Sequence, residues 1–189
     1  ALTAAAFSST AILAETRSQA TQSRITAPLA ITADAGLDDS TIEKLAQGSH
    51  GATIEPVVQS TIFTKDTGLN SDSLLVQYVQ PTIRQVMHLP FVSGDIAKLT
   101  NDSFAVSQKT ATAQKWQLGG NVNFWLTDGT PITLKVVAIL QDSDDLGSTL
   151  LLPDDLRRRL EPGLTAQVAY AAPTEGFTPA QLQALLEPI

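Results

Sequence analysis

The chain of 189 residues contains no cysteine. That excludes disulfides, Cys-ligated metals and thiol catalysis, and it is compatible with an oxidising compartment that tolerates few free thiols. Histidine is nearly as scarce, with only His50 and His88. A zinc site needs three or four N, S or O ligands at suitable spacing. Neither His has a second close ligand, so both read as surface or packing residues. A nucleophile elbow of the G-x-S-x-G kind is missing, because Gly48-Ser49-His50-Gly51 lacks the needed frame. The EF-hand spacing and its terminal Glu are missing too. Asp142, Asp144 and Asp145 therefore read as a solvated acidic loop over 141–147, with a weak cation site as the alternative. No catalytic, cofactor-binding or metal-ligating set is expected, and no cofactor.

Net positive charge is also lacking. The balance is −7, which argues against a nucleic-acid surface built from clustered Lys and Arg. The one basic run, Arg157-Arg158-Arg159, reads as the solvated face and last turn of a short helix, where cations suit the helix dipole. A phosphate or headgroup contact is the alternative. No apolar run reaches the ~18 residues needed to span a bilayer. A basic n-region and an apolar h-region are both missing, so no signal peptide is visible. The first residue is Ala rather than Met, and the expectation is a piece of something longer. What is present is apolar material: 43% hydrophobic against 16% charged residues, which predicts a globular fold of one domain or two small lobes.

The most informative stretch runs from Gly94 to Leu140. Ser103 to Ser107 alternates in the period-2 manner of a half-buried strand. Ser107 suits an N-cap. Gln108 to Trp116 reads as a short helix, with Gly119-Gly120 as its stop. Val122, Phe124 and Leu126 then share one strand face, opposite Asn121, Asn123 and Trp125. Asp128-Gly129 signals a hairpin of type I′, whose two central residues need positive φ. The return strand through Ile132, Leu134, Val136 and Ala138 becomes apolar on both faces at Val137, Ile139 and Leu140, which places it centrally in a sheet. Trp116 and Trp125 each read as core or semi-core, with a ligand platform as the alternative. Trp125, opposite Phe124, is the one residue singled out as a protein contact, since aromatics are enriched at interface hot spots.

This run resembles the extracytoplasmic core domain of the MacB/FtsX-like ABC transporter permeases. The residues that carry the resemblance are Gly94-Asp95, Leu99, Ala105-Val106-Ser107, Leu118-Gly119, Val122, Asp128-Gly129 and Val136 to Ile139, in that order. The family's "VGD" turn is departed from, since Gly119-Gly120-Asn121 stands there. The resemblance implies an α+β fold, with a mixed sheet and short helices, and a small or absent second lobe. It implies a non-catalytic domain on the extracytoplasmic face of a bacterial membrane. Its implied partners are the transmembrane helices of the same permease, a cytoplasmic ABC ATPase acting through them, and a second permease copy. A free secreted binding or adhesion module is the alternative.

The remaining segments fit around that block. Residues 1–24 are Ala-, Thr- and Ser-rich, with Glu15 the first charge. They are expected to form a helix that continues a transmembrane helix, with the core domain over 25–189. A first strand is expected at Leu29 to Ala33, and a helix with a capping box at Ser40 and Glu43. Ala52 to Thr64 should be extended, with Pro56 at an edge or bend. The polar stretch 65–73 is the best candidate for a lobe boundary. A last helix is expected from Thr178-Pro179, with Ala180, Leu182, Leu185 and Leu186 on its apolar face.

Overall fold

The block from Ser103 to Leu140 forms strand, helix and hairpin as its spacing predicts, within a longer series of elements. The computed structural model describes residues 2–6, 24–65, 72–143 and 147–186. In chain order these give β1 (Leu2–Ala6), β2 (Leu29–Ala33), α1 (Asp39–Gly48), β3 (Thr53–Phe63), β4 (Ser73–Val79) and β5 (Phe91–Gly94). There follow β6 (Ser103–Ser107), α2 (Gln108–Gln114), β7 (Asn121–Trp125), β8 (Pro131–Leu140), β9 (Leu150–Pro153), α3 (Asp154–Leu160), β10 (Val168–Ala172) and α4 (Pro179–Leu186). Single 3-10 turns lie at Pro81–Gln85 and Ile96–Lys98.

The chain divides into two compact units. The first comprises Ala1–Val58, Thr82–His88 and Gly163–Ile189, and the second Gln59–Pro81 and Leu89–Pro162. The stretch 65–73 falls inside the second unit, whose borders lie elsewhere. The two units are similar in size, where a small or absent second lobe was expected.

In the first unit the strand order is β1-β2-β10-β3, antiparallel throughout. Leu29 and Ile31 of β2, Ile54 of β3 and Ala169 and Ala171 of β10 are buried, with Ile42 and Leu45 of α1 and Leu182 and Leu186 of α4. The first half of β3 pairs with β10, with Pro56 opposite Ala169. Helix α1 starts earlier than the Ser40 box predicts, because Asp38 takes the N-cap and its Oδ1 accepts from the Thr41 N–H at 2.7 Å.

At the N-terminus, Leu2–Ala6 is a strand paired with β2 from Leu2↔Ala33 to Ala6↔Leu29, where a helix was expected. Helix propensity differs by only tenths of a kcal/mol between ordinary residues, and the exposed edge of β2 offers a full ladder instead. The rest of that expected helix, 7–23, lies outside the described residues.

In the second unit the latter half of β3 is followed by β4, β9, β6 and β8, and β7 pairs with both β8 and β3. The β7–β3 link is the single bridge Phe63↔Trp125, so the path returns to the strand where it began. Pairings β4–β9 and β6–β8 are parallel and the others antiparallel, which makes the sheet mixed. All five residues of β6 are buried, where alternation predicts one wet face. The cause is its place between β8 and β9, with α2 packed against it. The latter half of β8 is central, between β6 and β5.

Two turns differ from expectation. Helix α2 ends at Lys115, which adopts the left-handed conformation (φ 59°, ψ 33°) and donates its N–H to Ala111 and Thr112. The Gly-Gly pair lies several residues beyond. In the hairpin only Gly129 has positive φ, at 83°. Leu126 N–H donates to Thr130 O at 2.9 Å and Asp128 Oδ1 accepts from Thr130 N–H at 2.8 Å. The loop therefore has three residues with a left-handed glycine at its end, the next most common hairpin solution after type I′. The Thr130 N–H holds the Asp128 carboxyl below the usual range.

Candidate functional site

The largest fully buried side chain in the described structure is charged. Arg157, in α3, is 1% exposed. The basic run therefore does not behave as one solvated face. Seven residues of helix bring Asp154 and Arg157 one turn apart, and the Arg157 Nε donates to Asp154 Oδ1 at 2.6 Å. Arg158 Nε donates to the other oxygen, Oδ2, at 3.0 Å. Arg159 is exposed. A basic triplet on a helix cannot all face one way, since successive residues turn by about 100°. The middle of α3 is anchored on β9 and β4, and Arg157 is the member that points in.

Glu161, just past α3, extends this polar cluster. Its Oε1 accepts from the Ser60 hydroxyl on β3 at 2.9 Å and its Oε2 from the Tyr78 hydroxyl on β4 at 2.5 Å. One carboxylate thus ties the end of α3 to two neighbouring strands. Burial, then the Glu161 hydrogen bond, push the Tyr78 phenol well above its ordinary range, so it remains a neutral donor at physiological pH. Charge-assisted bonds of this kind are shorter and stronger than neutral ones. The groups of the cluster bond to one another, and through Glu161 they fix the end of α3 on β3 and β4.

The second feature is aromatic. Phe104, Trp116 and Phe124 meet edge to face, with centroids 5.5, 5.2 and 5.5 Å apart for Phe104–Trp116, Phe104–Phe124 and Trp116–Phe124. Such pairs contribute about 0.5–1.5 kcal/mol each beyond their burial. Both phenylalanines are fully buried, while Trp116 is half-buried. Trp125 ends β7, opposite Pro131 of β8 and Phe63 of β3. It too is half-buried.

The other residues considered from sequence are dispersed. His50 is exposed in a left-handed turn (φ 52°), and His88 is exposed. Ser49 is buried, its hydroxyl donating to Ala46 O at 2.7 Å as the chain leaves α1. Asp142 accepts from the Lys109 N–H at 2.7 Å, in the first turn of α2, while 144–146 lie outside the described residues. Sequence reasoning missed Asp154, Glu161 and Tyr78 as a group. The available signal was the D-D-x-R-R-R-x-E spacing over 154–161. Six charges around one short helix flanked by apolar strands leave at least one facing inward.

Gly94 shows why the family-like Gly-Asp pair stands where it does. Its φ is +77°, and a Cβ there would lie 2.1 Å from Val137 O and 2.8 Å from Ala138 Cα. Only glycine lets β5 approach β8 this closely.

No protein-family model matches the chain, and no curated protein does. Solved structures do. The extracellular domain of the noncanonic ABC-type transporter YknZ from Gram-positive bacteria is similar at a TM-score of 0.57 and 12% identity, over 81% of this chain and 80% of that one. The periplasmic region of MacB from Actinobacillus actinomycetemcomitans gives 0.58 and 14%, over 80% and 72%. A domain of a putative permease protein from Porphyromonas gingivalis gives 0.52 and 16%, over 80% and 68%. The fold is the α+β, mixed-sheet fold of these extracytoplasmic permease domains, as the resemblance in the central block implies.

Proposed function

We propose that the chain is the extracytoplasmic domain of a bacterial ABC transporter permease of the MacB type. The observation that carries this reading is the shared fold over about four fifths of the chain. In this reading the domain performs no catalysis. It couples ATP-driven motion of membrane helices to export or to mechanical signalling outside the membrane. Its partners are those helices, a cytoplasmic ABC ATPase acting through them, and a second permease copy.

The arrangement of the first unit supports a tether at both chain ends. That unit contains both the N-terminal and the C-terminal segments, and α4 lies against β1. A pull from either segment would enter the same unit. Within the second unit, the Glu161 bonds to Ser60 and Tyr78 hold the end of α3 to β3 and β4, which suits an element that must move without deforming. Trp125, half-buried at the end of β7, is the residue we assign to contact with an extracytoplasmic protein.

The missing cysteine supplies the test. Thr127 is exposed in the β7–β8 loop, and Thr127→Cys introduces a unique thiol into this domain. In intact cells carrying the full-length parent protein, a membrane-impermeant maleimide should label that thiol without permeabilisation. Labelling only after the membrane is opened would overturn the assignment.

A further inference from the structure

We infer that the groove beside Trp116 is a binding site for a monomeric amphiphilic anion, a carboxylate on an alkyl or aromatic body. This inference is independent of the permease reading. The groove is a cavity of ≈ 320 Å³. Val92, Ala111, Trp116 and Ile139 form its apolar side, and Gln108, Thr112, Gln117 and the cation Lys115 its polar side. Val92 is 49% exposed and the adjoining Leu118 47%, so this wall continues into open apolar surface. An amphiphile fits such a lining, its body against the apolar side and its charged head against the polar groups that orient it.

Two further observations point to an anion. Lys115 is the one ionisable residue among those that line the groove, within a chain of net charge −7. Lys115 also occupies the left-handed position that closes α2, where Gly or Asn is usual and other residues are strained. A glycine there would relieve the backbone and remove the cation. The lysine thus stands at the one place in the groove where its backbone is least favourable, and its ammonium is what glycine would not supply. A neighbouring sheet edge does not provide an alternative docking mode. The register slips between Phe91 and Ser93, and a bulge of this kind turns an edge away from strand addition.

The chain carries two tryptophans, so Trp125→Phe leaves Trp116 as the sole reporter. Dodecanoate below its micellar concentration should change Trp116 fluorescence saturably, and dodecyl maltoside should not. Lys115→Gly should raise the urea midpoint while weakening dodecanoate at least ten-fold. Lys115→Met, which keeps the stem without the charge, should weaken it comparably. Loss of binding together with gained stability separates a missing ligand contact from misfolding. Equal responses to dodecanoate and maltoside, unchanged affinity in both Lys115 variants, or binding to phosphatidylglycerol vesicles without binding to the monomer would each overturn the inference.

Discussion

Replacing Gly94 by alanine isolates the close approach of β5 to β8. The new Cβ would stand 2.1 Å from Val137 O and 2.8 Å from both Ala138 Cα and Leu118 Cδ1. The leucine methyl can rotate aside, but the two backbone atoms cannot. Ala138 is held by β6 on its other side, opposite Ala105, and Val137 is fixed between Val136 and Ala138, which both pair with β6. Relief must therefore come from displacing β5, with the Asp95 N–H to Val137 O bond of 3.2 Å broken or stretched. A positive φ costs a non-glycine residue about 1–2 kcal/mol, and forced overpacking adds about 1–3 kcal/mol. The expected loss is roughly 3 kcal/mol, a large part of the ~5–15 kcal/mol that holds a domain together. With a urea m-value near 2 kcal/mol/M, that corresponds to a midpoint shift of about 1.5 M. Trp116 and Trp125 both belong to the second unit, so their fluorescence reports its unfolding. Gly119→Ala is the matched control, because Gly119 has φ +82° and no atom lies within 4 Å of where its Cβ would stand. It should lose only the backbone strain, about 1 kcal/mol. Equal losses in the two variants would refute the steric argument and leave φ alone as the cause.

Three other outcomes follow from the polar cluster and the groove. Asp154→Ala should cost about 3–5 kcal/mol in urea unfolding, because it removes the carboxylate that faces the buried Arg157 charge, whereas Arg159→Ala should stay within about 0.5 kcal/mol. A small effect at Asp154 would mean that Arg157 finds another acceptor. The raised Tyr78 phenol has its own pH signature: below about pH 10 both states keep the proton, and above it the unfolded chain loses a proton that the native state retains. Stability should then fall with pH at up to about 1.4 kcal/mol per unit, and Tyr78→Phe should flatten that slope. Persistence of the full slope in the variant would shift the cause elsewhere. In the groove, Lys115→Gly should gain stability and lose dodecanoate affinity together.

What the sequence discloses tracks how local the determining forces are. The hairpin, α2 and the last helix are set by neighbours within a few residues, and they are found where periodicity and caps put them. Thr178 and Gln181, for instance, exchange the reciprocal bonds of a capping box, at 2.8 and 3.2 Å. The larger errors lie where a distant strand decides. Leu2–Ala6 is a strand because β2 has an edge to fill, and β6 is wholly buried because the much later β9 pairs with it, Leu151 opposite Ala105. Arg157 turns inward because Asp154 shares its helix face, a spacing visible in the sequence but a weaker signal than the basic run itself. The site candidates fare likewise. Trp125 falls at the end of β7 as its register predicts, while the Ser60, Tyr78 and Glu161 bonds join residues up to 101 positions apart, which no local pattern encodes.

The position of β10 in its sheet has a bearing on synthesis. It lies between β2 and β3, yet it is made long after either. As the chain leaves the ribosome, β2 and β3 emerge with a gap between them that nothing yet occupies. Every described strand of the second unit is complete by Pro153, and its last segment by Pro162. The usual N-terminal-first order is therefore inverted: the second unit can close while the first still waits for its middle strand. The two early strands expose their facing edges throughout that interval, and any chaperone or membrane-insertion factor that shields them has to let go in time for residues 168–172 to slide in.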